Sequence, residues 1–360
     1  MQRRTLLVLT GAAAVTGAAA LLLTPRAPPP PPAPALAFPD LAQRLAGVAR
    51  IEIRRGEAAL ALKRLGTDRW ALPDKSDYPA RGDKVREVLV GLTELRLIEP
   101  RTADADLLSR LGVEDPTQPG ATSQLLRLLD GSGGVIAELV LGHRRMRTQG
   151  GLAGAQVPET IYIRRPSETQ AWLAEGRLPV DSDLNLWLDR DIANLPRDRL
   201  RRVLTNRPAD GSIELLRGGE PDGAFRIAIP ADAGPPDEGG LDEVARAMEF
   251  LTFTDVRPEA ENAGEPVGEA SFTFTDGLGV TLHGRREAEN LWITLSASGD
   301  DEAARLNARW RGWAYQVGPW KERAFFPRLA DVVLAATPAP VAPTPPAPPA
   351  APPAAPAAPR

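Results

Sequence analysis

His143 and His283 are the only imidazoles in the chain, and cysteine is absent. Each histidine closes an alternating apolar run (LVLGHRR and VTLHGRR), so a metal pair would form if the two run ends met. Zinc usually takes four ligands, and no pair of carboxylates stands at a spacing that would supply the other two. The plainer alternative is two histidines at strand ends beside basic turns. Without cysteine there are no disulfides, thiolate nucleophiles or thiolate metal sites. The runs Gly131-Ser132-Gly133-Gly134 and Gly218-Gly219 lie inside hairpin patterns, and no Gly-Lys-Ser/Thr follows them. They read as turns, not phosphate loops. Asp189 and Asp191 flank Arg190, but a carboxylate pair for glycoside cleavage is defined by separation in space, not in sequence. The expectation is a non-enzymatic protein with no catalytic, cofactor-binding or metal residues.

Two groups of side chains suit binding better than catalysis. Arg144, Arg145 and Arg147 recur as Arg285 and Arg286, with Arg199, Arg201 and Arg202 between them. If they converge they form a basic patch for phospholipid headgroups or an acidic partner; otherwise they are solvated strand ends neutralised by nearby acids. Trp310, Trp313, Tyr315 and Trp320 are the densest aromatic cluster. Such rings stack on sugars or anchor protein interfaces, and the competing reading is a core for the last strand and helix. The candidate partner or ligand surface is therefore Trp310, Trp313, Trp320, Arg144, Arg145, Arg285 and Arg286. A formal net charge of -4 gives no sign of a nucleic-acid binder, which would carry a basic bias.

The elements that must position these groups follow from periodicity. Residues 83–100 (DKVREVLVGLTELRLIEP) carry Val85, Val88, Leu89, Leu92 and Leu95 on one helical face. Residues 241–258 (LDEVARAMEFLTFTDVRP) repeat that spacing with Leu241, Val244, Ala245, Met248 and Leu251. LALKRLGTDRWAL precedes the first helix and IELLRGGEPDGAFRI the second, each two alternating runs around a turn. SQLLRLLDGSGGVIAELVLGHRR and ASFTFTDGLGVTLHGRR follow as second hairpins. IYIRRPSETQAWL then matches AYQVGPWKERAFF, with Tyr162 on Tyr315 and Pro166 on Pro319. This alignment makes residues 287–312, with the run NLWITLSA, an insertion. The expected fold is α+β: a tandem duplication of a hairpin–helix–hairpin–strand–helix unit.

The ends of the chain differ from its middle. Residues 5–23 are uncharged and follow Arg3 and Arg4; as a helix they would reach roughly 28 Å, near the thickness of a bilayer core. The arginines set the N-terminus inside and send the body across. A small-residue cleavage site, Ala35-Leu36-Ala37, stands well past the apolar run, which favours an uncleaved anchor over a removed signal. Arg3-Arg4-Thr5-Leu6-Leu7 also resembles a twin-arginine signal. Residues 25–39 are proline-rich, the composition of a stiff spacer, and residues 337–360 are almost only proline and alanine.

Several short motifs together resemble the bacterial family described as domain of unknown function 4340. They are Trp70-Ala71-Leu72-Pro73, Tyr78-Pro79, Leu111-Gly112-Val113-Glu114-Asp115-Pro116, Leu139-Val140-Leu141-Gly142, and the spaced set Trp313, Tyr315, Val317 and Trp320. The resemblance runs over residues 48–334. It implies a single-span protein with its body outside the cytoplasmic membrane and an accessory role beside ABC-transporter components of the gliding-motility type. It supplies no catalytic residues. The expected organisation is an anchor (1–24), a linker (25–39), a first repeat (40–177), a connector (178–202), a second repeat (203–335) and a Pro/Ala tail (336–360). The expected function is an accessory or scaffold protein of the inner membrane facing the periplasm, with protein partners. The alternative is a module that binds cell-wall glycan or another envelope ligand.

Overall fold

The computed structural model describes residues 34–145, 159–219 and 223–335. The expected membrane helix, most of the proline-rich linker, Arg147 and the Pro/Ala tail lie outside those residues. Among the described residues no helix is long and apolar enough to cross a membrane. Contacts divide the chain into two units. One holds the described residues up to Ala71 together with Ala80–Trp187; the other holds Leu72–Pro79 and the described residues from Leu188. The division falls inside the expected connector. Nothing in the sequence signals that Leu72–Pro79 groups with the second unit.

The first unit contains β1 (Ala35–Leu36), α1 (Leu41–Arg44), β2 (Arg50–Arg55), β3 (Ala58–Arg64), β4 (Trp70–Leu72, whose last residue groups with the second unit) and α2 (Gly82–Glu94). The segment Leu72–Pro79 carries β5 (Tyr78–Pro79). After α2 come β6 (Arg96–Pro100), α3 (Leu108–Leu111), β7 (Gln124–Leu129), β8 (Val135–Arg145), β9 (Thr160–Arg164) and β10 (Ala171–Glu175). Side by side the strands run β1-β6-β10-β9-β8-β7-β2-β3-β4, with antiparallel pairing throughout. Alternation decides the faces: Ile51 and Ile53 of β2 are fully buried while Arg50 and Arg54 face outward. α2 joins strands at opposite sides of this sheet and buries Val85, Val88, Gly91 and Leu92. A Cβ on Gly91 would lie 2.1 Å from the Arg177 carbonyl oxygen, so the helix approaches backbone there and only glycine fits.

The second unit contains β11 (Asp191–Ala193), β12 (Leu200–Arg207), β13 (Gly211–Arg217), β14 (Phe225–Ile229), α4 (Glu238–Ala245), β15 (Leu251–Thr252) and β16 (Asp255–Pro258). It continues with β17 (Glu265–Phe274), β18 (Gly279–Glu287), β19 (Asn290–Ser298), α5 (Asp301–Trp310), β20 (Trp313–Val317), α6 (Lys321–Phe325) and α7 (Leu329–Val332). Its main sheet runs β14-β13-β12-β17-β18-β19-β20-β16, and β11 pairs with β15 in a two-stranded sheet. Phe272, Val280, Leu282, Ile293 and Tyr315 are buried; Phe272 packs edge-on to Phe325 at 6.5 Å, and Tyr315 lies 5.4 Å from Phe253. Tyr78 packs edge-on to Phe253 at 5.4 Å, which gives the Leu72–Pro79 segment its place in this unit.

This architecture corrects the expected α+β repeat. The described chain is mostly antiparallel strand in three sheets, and its helices are few and mostly short. The four hairpins stand where the alternating runs predict them, but the helical readings overreach. Residues 96–100 form β6 instead of extending α2, and α4 ends at Ala245, leaving 251–258 to β15 and β16. The helix expected to end the first unit, in the latter part of IYIRRPSETQAWL, is replaced by β10, whose ladder partners are β6 and β9. Cross-strand pairing outweighs weak helical propensity in each case, with two ladder partners for β6 and β10 and one each for β15 and β16.

Both main sheets follow one strand order, and it changes the matching of their parts. β9 holds in the first the position β19 holds in the second, and β10 corresponds to β20. NLWITLSA is therefore not an added strand; α5 is the element that the first unit replaces with a turn. The matching of Tyr162 to Tyr315 had shifted one strand along the order.

Candidate docking site

β20 ends at Val317 and the chain turns through Gly318-Pro319-Trp320 into α6. The Lys321 N–H donates to the Gly318 carbonyl at 2.9 Å, which closes the turn. Proline at position 319 pre-sets one backbone angle of that turn. Trp320 is 68% exposed, the most exposed tryptophan among the described residues. Its ring rests against Gly318, where a Cβ would lie 2.2 Å from Cη2. The indole is thus seated on one side and open on the other.

Around it lies a cleft of about 480 Å³ lined by Arg207, Glu243, Glu322, Arg323, Arg328 and Asp331, with Pro319 and Phe326. Arg207, at the end of β12, is buried and saturated. It donates from Nε to Asp210 at 2.8 Å and from Nη1 to the Phe326 carbonyl at 2.7 Å and Glu322 at 3.3 Å. Glu322 also accepts from Arg286. On the far wall Arg323 donates from Nε to Glu243 of α4 at 3.0 Å, and that carboxylate holds the guanidinium pKa above its ordinary value. The Arg328 N–H donates to Asp331 at 2.8 Å, which caps α7. Beside the indole, burial lowers the Lys321 pKa from its usual value while Glu243 and Glu249 oppose the shift; Nζ donates to the Ala247 carbonyl at 2.9 Å. Three cations and three anions line the cleft and most are paired with one another. The cleft therefore carries little net charge, and the free indole face is its distinctive feature.

The aromatic residues singled out in the sequence do not form one platform. Trp310 is 1% exposed and donates from Nε1 to the Ile192 carbonyl at 2.9 Å, so it belongs to the core and cannot stack on a ligand. Trp313 is half-buried, edge-on to Tyr78 at 4.9 Å. Only Trp320 of the three is open.

The arginines are likewise engaged one by one. Arg144 donates to the Leu178 carbonyl, and the Arg145 guanidinium sits 5.9 Å from the Tyr162 ring, both in the first unit. Arg285 donates to the Gly264 carbonyl at 3.0 Å, and Arg286 pairs with Glu322, both in the second. Arg199 is held by Asp276 and Glu302, and Arg202 by Glu214. Each of these guanidiniums has its own acceptor or ring within its unit.

The histidines stand in separate units. His143 packs over Gly112, whose left-handed backbone ends α3. His283 lies 3.8 Å from Glu269, in a cross-strand row of Asn206, Glu269, His283 and Thr294 along the rim of a cleft of about 500 Å³. Among the described residues no group of three or more His, Asp or Glu side chains is placed to hold a metal ion.

Sequence reasoning missed Arg207, Glu243, Glu322 and Gly318. The usable signal was Gly318-Pro319-Trp320 directly after a strand, a turn signature carrying a large ring. Arg207 had none, because a buried arginine shows itself only through partners distant in sequence.

A family model described as Domain of unknown function (DUF4340) matches residues 70–267, more than half of the chain. The match includes Arg207 and Glu243 and stops within β17, before Trp320. No curated protein matches the chain.

Proposed function

The chain belongs to the DUF4340 family, a domain of unknown function, and from that premise we propose that it is a non-enzymatic accessory or scaffold protein of the bacterial envelope. In this reading residues 5–23 hold it in the cytoplasmic membrane, the body faces the periplasm, and the Trp320 cleft meets a protein partner, an ABC-transporter subunit being the first candidate. The observation that carries it is the seated, 68% exposed indole of Trp320. Large aromatic side chains held rigid at a surface lose little entropy on binding and dominate interface energetics. Retention of the anchor is supported by Ala35-Leu36-Ala37. Ala35 and Leu36 pair with β6, and the Ala37 N–H donates to the Leu95 carbonyl at 2.7 Å, so a cut there would remove a strand of the first sheet.

The test is affinity purification of the full chain from its native membranes after brief crosslinking, beside a Trp320→Ala variant. Recovery of transporter subunits with the native chain and their loss from the variant is the expected outcome. Equal recovery from both sinks the docking role of the cleft. A second reading, glycan binding, is favoured by the same free indole beside the carboxylates of Glu243 and Asp331, because sugar rings stack on tryptophan and share hydroxyls with acids. Retention of the full chain on peptidoglycan, lost with Trp320→Ala, would move that reading ahead.

A further inference from the structure

Four features of the second unit bear on what covers the open face of Trp320. The cleft is charge-balanced, with Arg207, Arg323 and Arg328 against Glu243, Glu322 and Asp331, so it selects neither an acidic nor a basic ligand. Its free face is a single aromatic plane. Arg328, which precedes α7, and Asp331, within its first turn, line the same cleft as Trp320, and the chain beyond them stays pinned: Val333 bridges Pro236, and the Leu334 N–H donates to the Pro235 carbonyl at 2.9 Å. Immediately afterwards the sequence becomes TPAPVAPTPPAPPAAPPAAPAAPR, residues 337–360, in which Arg360 is the only charged side chain.

We propose that this Pro/Ala segment docks in cis on the free face of Trp320. The idea rests on the reading of the cleft as a docking site and names its resident occupant. Proline-rich sequences favour the polyproline II geometry, lose little entropy on binding and lay their rings on aromatic side chains. A single stacked tryptophan holds such a ligand weakly in solution. A short tether raises the effective concentration to the order of millimolar, which compensates for that weakness. At about 3.1 Å per residue the first dozen residues of the segment span roughly 37 Å when extended. A partner that uses Trp320 must therefore displace the chain's own segment, which sets a threshold for docking.

The experiment uses the full chain in detergent micelles, labelled with nitrogen-15 in its seven tryptophans. Trp320→Phe identifies the Trp320 indole resonance. Two variants follow, one lacking residues 337–360 and one keeping their length with every proline in them changed to serine. The Trp320 resonance is expected to move in both variants while the other six stay in place. A synthetic peptide of residues 337–360, added to the shortened chain, should return it toward its original position. An unmoved Trp320 resonance in both variants overturns the proposal, as does equal restoration by a peptide of residues 27–34 (APPPPPAP), which would reduce the effect to generic proline binding. If the resonance is unmoved but Trp320→Ala still loses its crosslinked partner, the cis occupant fails and the docking site stands. A moved resonance with unchanged partner recovery in Trp320→Ala keeps the cis contact and removes the partner.

Discussion

The six-membered ring of Trp320 fills the space that a side chain on Gly318 would need; an added Cβ would lie 2.2 Å from Cη2 and 2.4 Å from Cζ2 and Cζ3. The indole is positioned by the absence of a neighbour's side chain. Gly318→Ala should therefore push the ring off its seat at small cost, within about 1 kcal/mol, because the displaced atoms are the far end of an exposed side chain. Urea denaturation checks the cost, and partner recovery after crosslinking checks the consequence. A variant that is stable yet still recovers partners normally would show that the seat of the ring is irrelevant to docking.

Trp310 and Trp320 should separate cleanly in stability. Trp310→Ala empties a buried site and leaves the Ile192 carbonyl without its donor, for a loss of about 3–5 kcal/mol. Trp320→Ala should stay within about 0.5 kcal/mol of the native chain. Equal denaturation midpoints for the two variants would contradict the assignment of Trp310 to the core.

Gly91→Ala is expected to destabilise, against the usual gain from alanine within a helix. The new methyl would lie 2.1 Å from the Arg177 carbonyl oxygen and 3.1 Å from Leu178 Cδ2, and the backbone atom cannot move aside alone. Overpacking of this kind costs about 1–3 kcal/mol. A raised midpoint in thermal unfolding would refute the close approach of α2 to that backbone.

Asp276 gives the second unit an acid-sensitive contact. Burial pushes its carboxyl pKa up, but hydrogen bonds from Arg199 and the Leu278 N–H, together with the Arg199 charge, outweigh it and hold the pKa below its usual value. A carboxylate whose pKa is depressed on folding contributes stability that is complete above its unfolded value of about 3.9. That contribution is lost as pH falls through the depressed folded value. Asp276→Asn should flatten the loss of stability in that acid range and cost about 0.5 kcal/mol at neutral pH, a small figure because the pair is partly exposed and screened. Melting curves from pH 7 down to pH 3 test both, and parallel profiles for the two proteins would exclude the role.

The extent to which the chain could be read in advance varies with how local each interaction is. Alternation along LALKR and FTFTD and the turn residues between such runs announced the hairpins, because strand period and turn chemistry are properties of neighbours. The start of α2 was announced by the spacing of Val85, Val88 and Leu92. Its end was not: residues 96–100 leave the helix to pair with β10, some seventy positions later. The same blindness put Tyr162 opposite Tyr315, when strand order makes β9 the counterpart of β19.

For the site, the division is sharper. The sequence by itself determined the chemical inventory: no thiols, two histidines, a scatter of arginines and a tryptophan cluster, flanked by an apolar run and proline-rich ends. Composition bounds chemistry without any geometry. Tertiary structure alone decided that Trp310 is core and Trp320 is surface, that Arg207 is buried against Glu322 and the Phe326 carbonyl, and which acceptor or ring each of Arg144, Arg145, Arg285 and Arg286 meets within its own unit. Burial and pairing depend on which strands lie side by side, and that follows from long-range ladders whose partners no local pattern identifies.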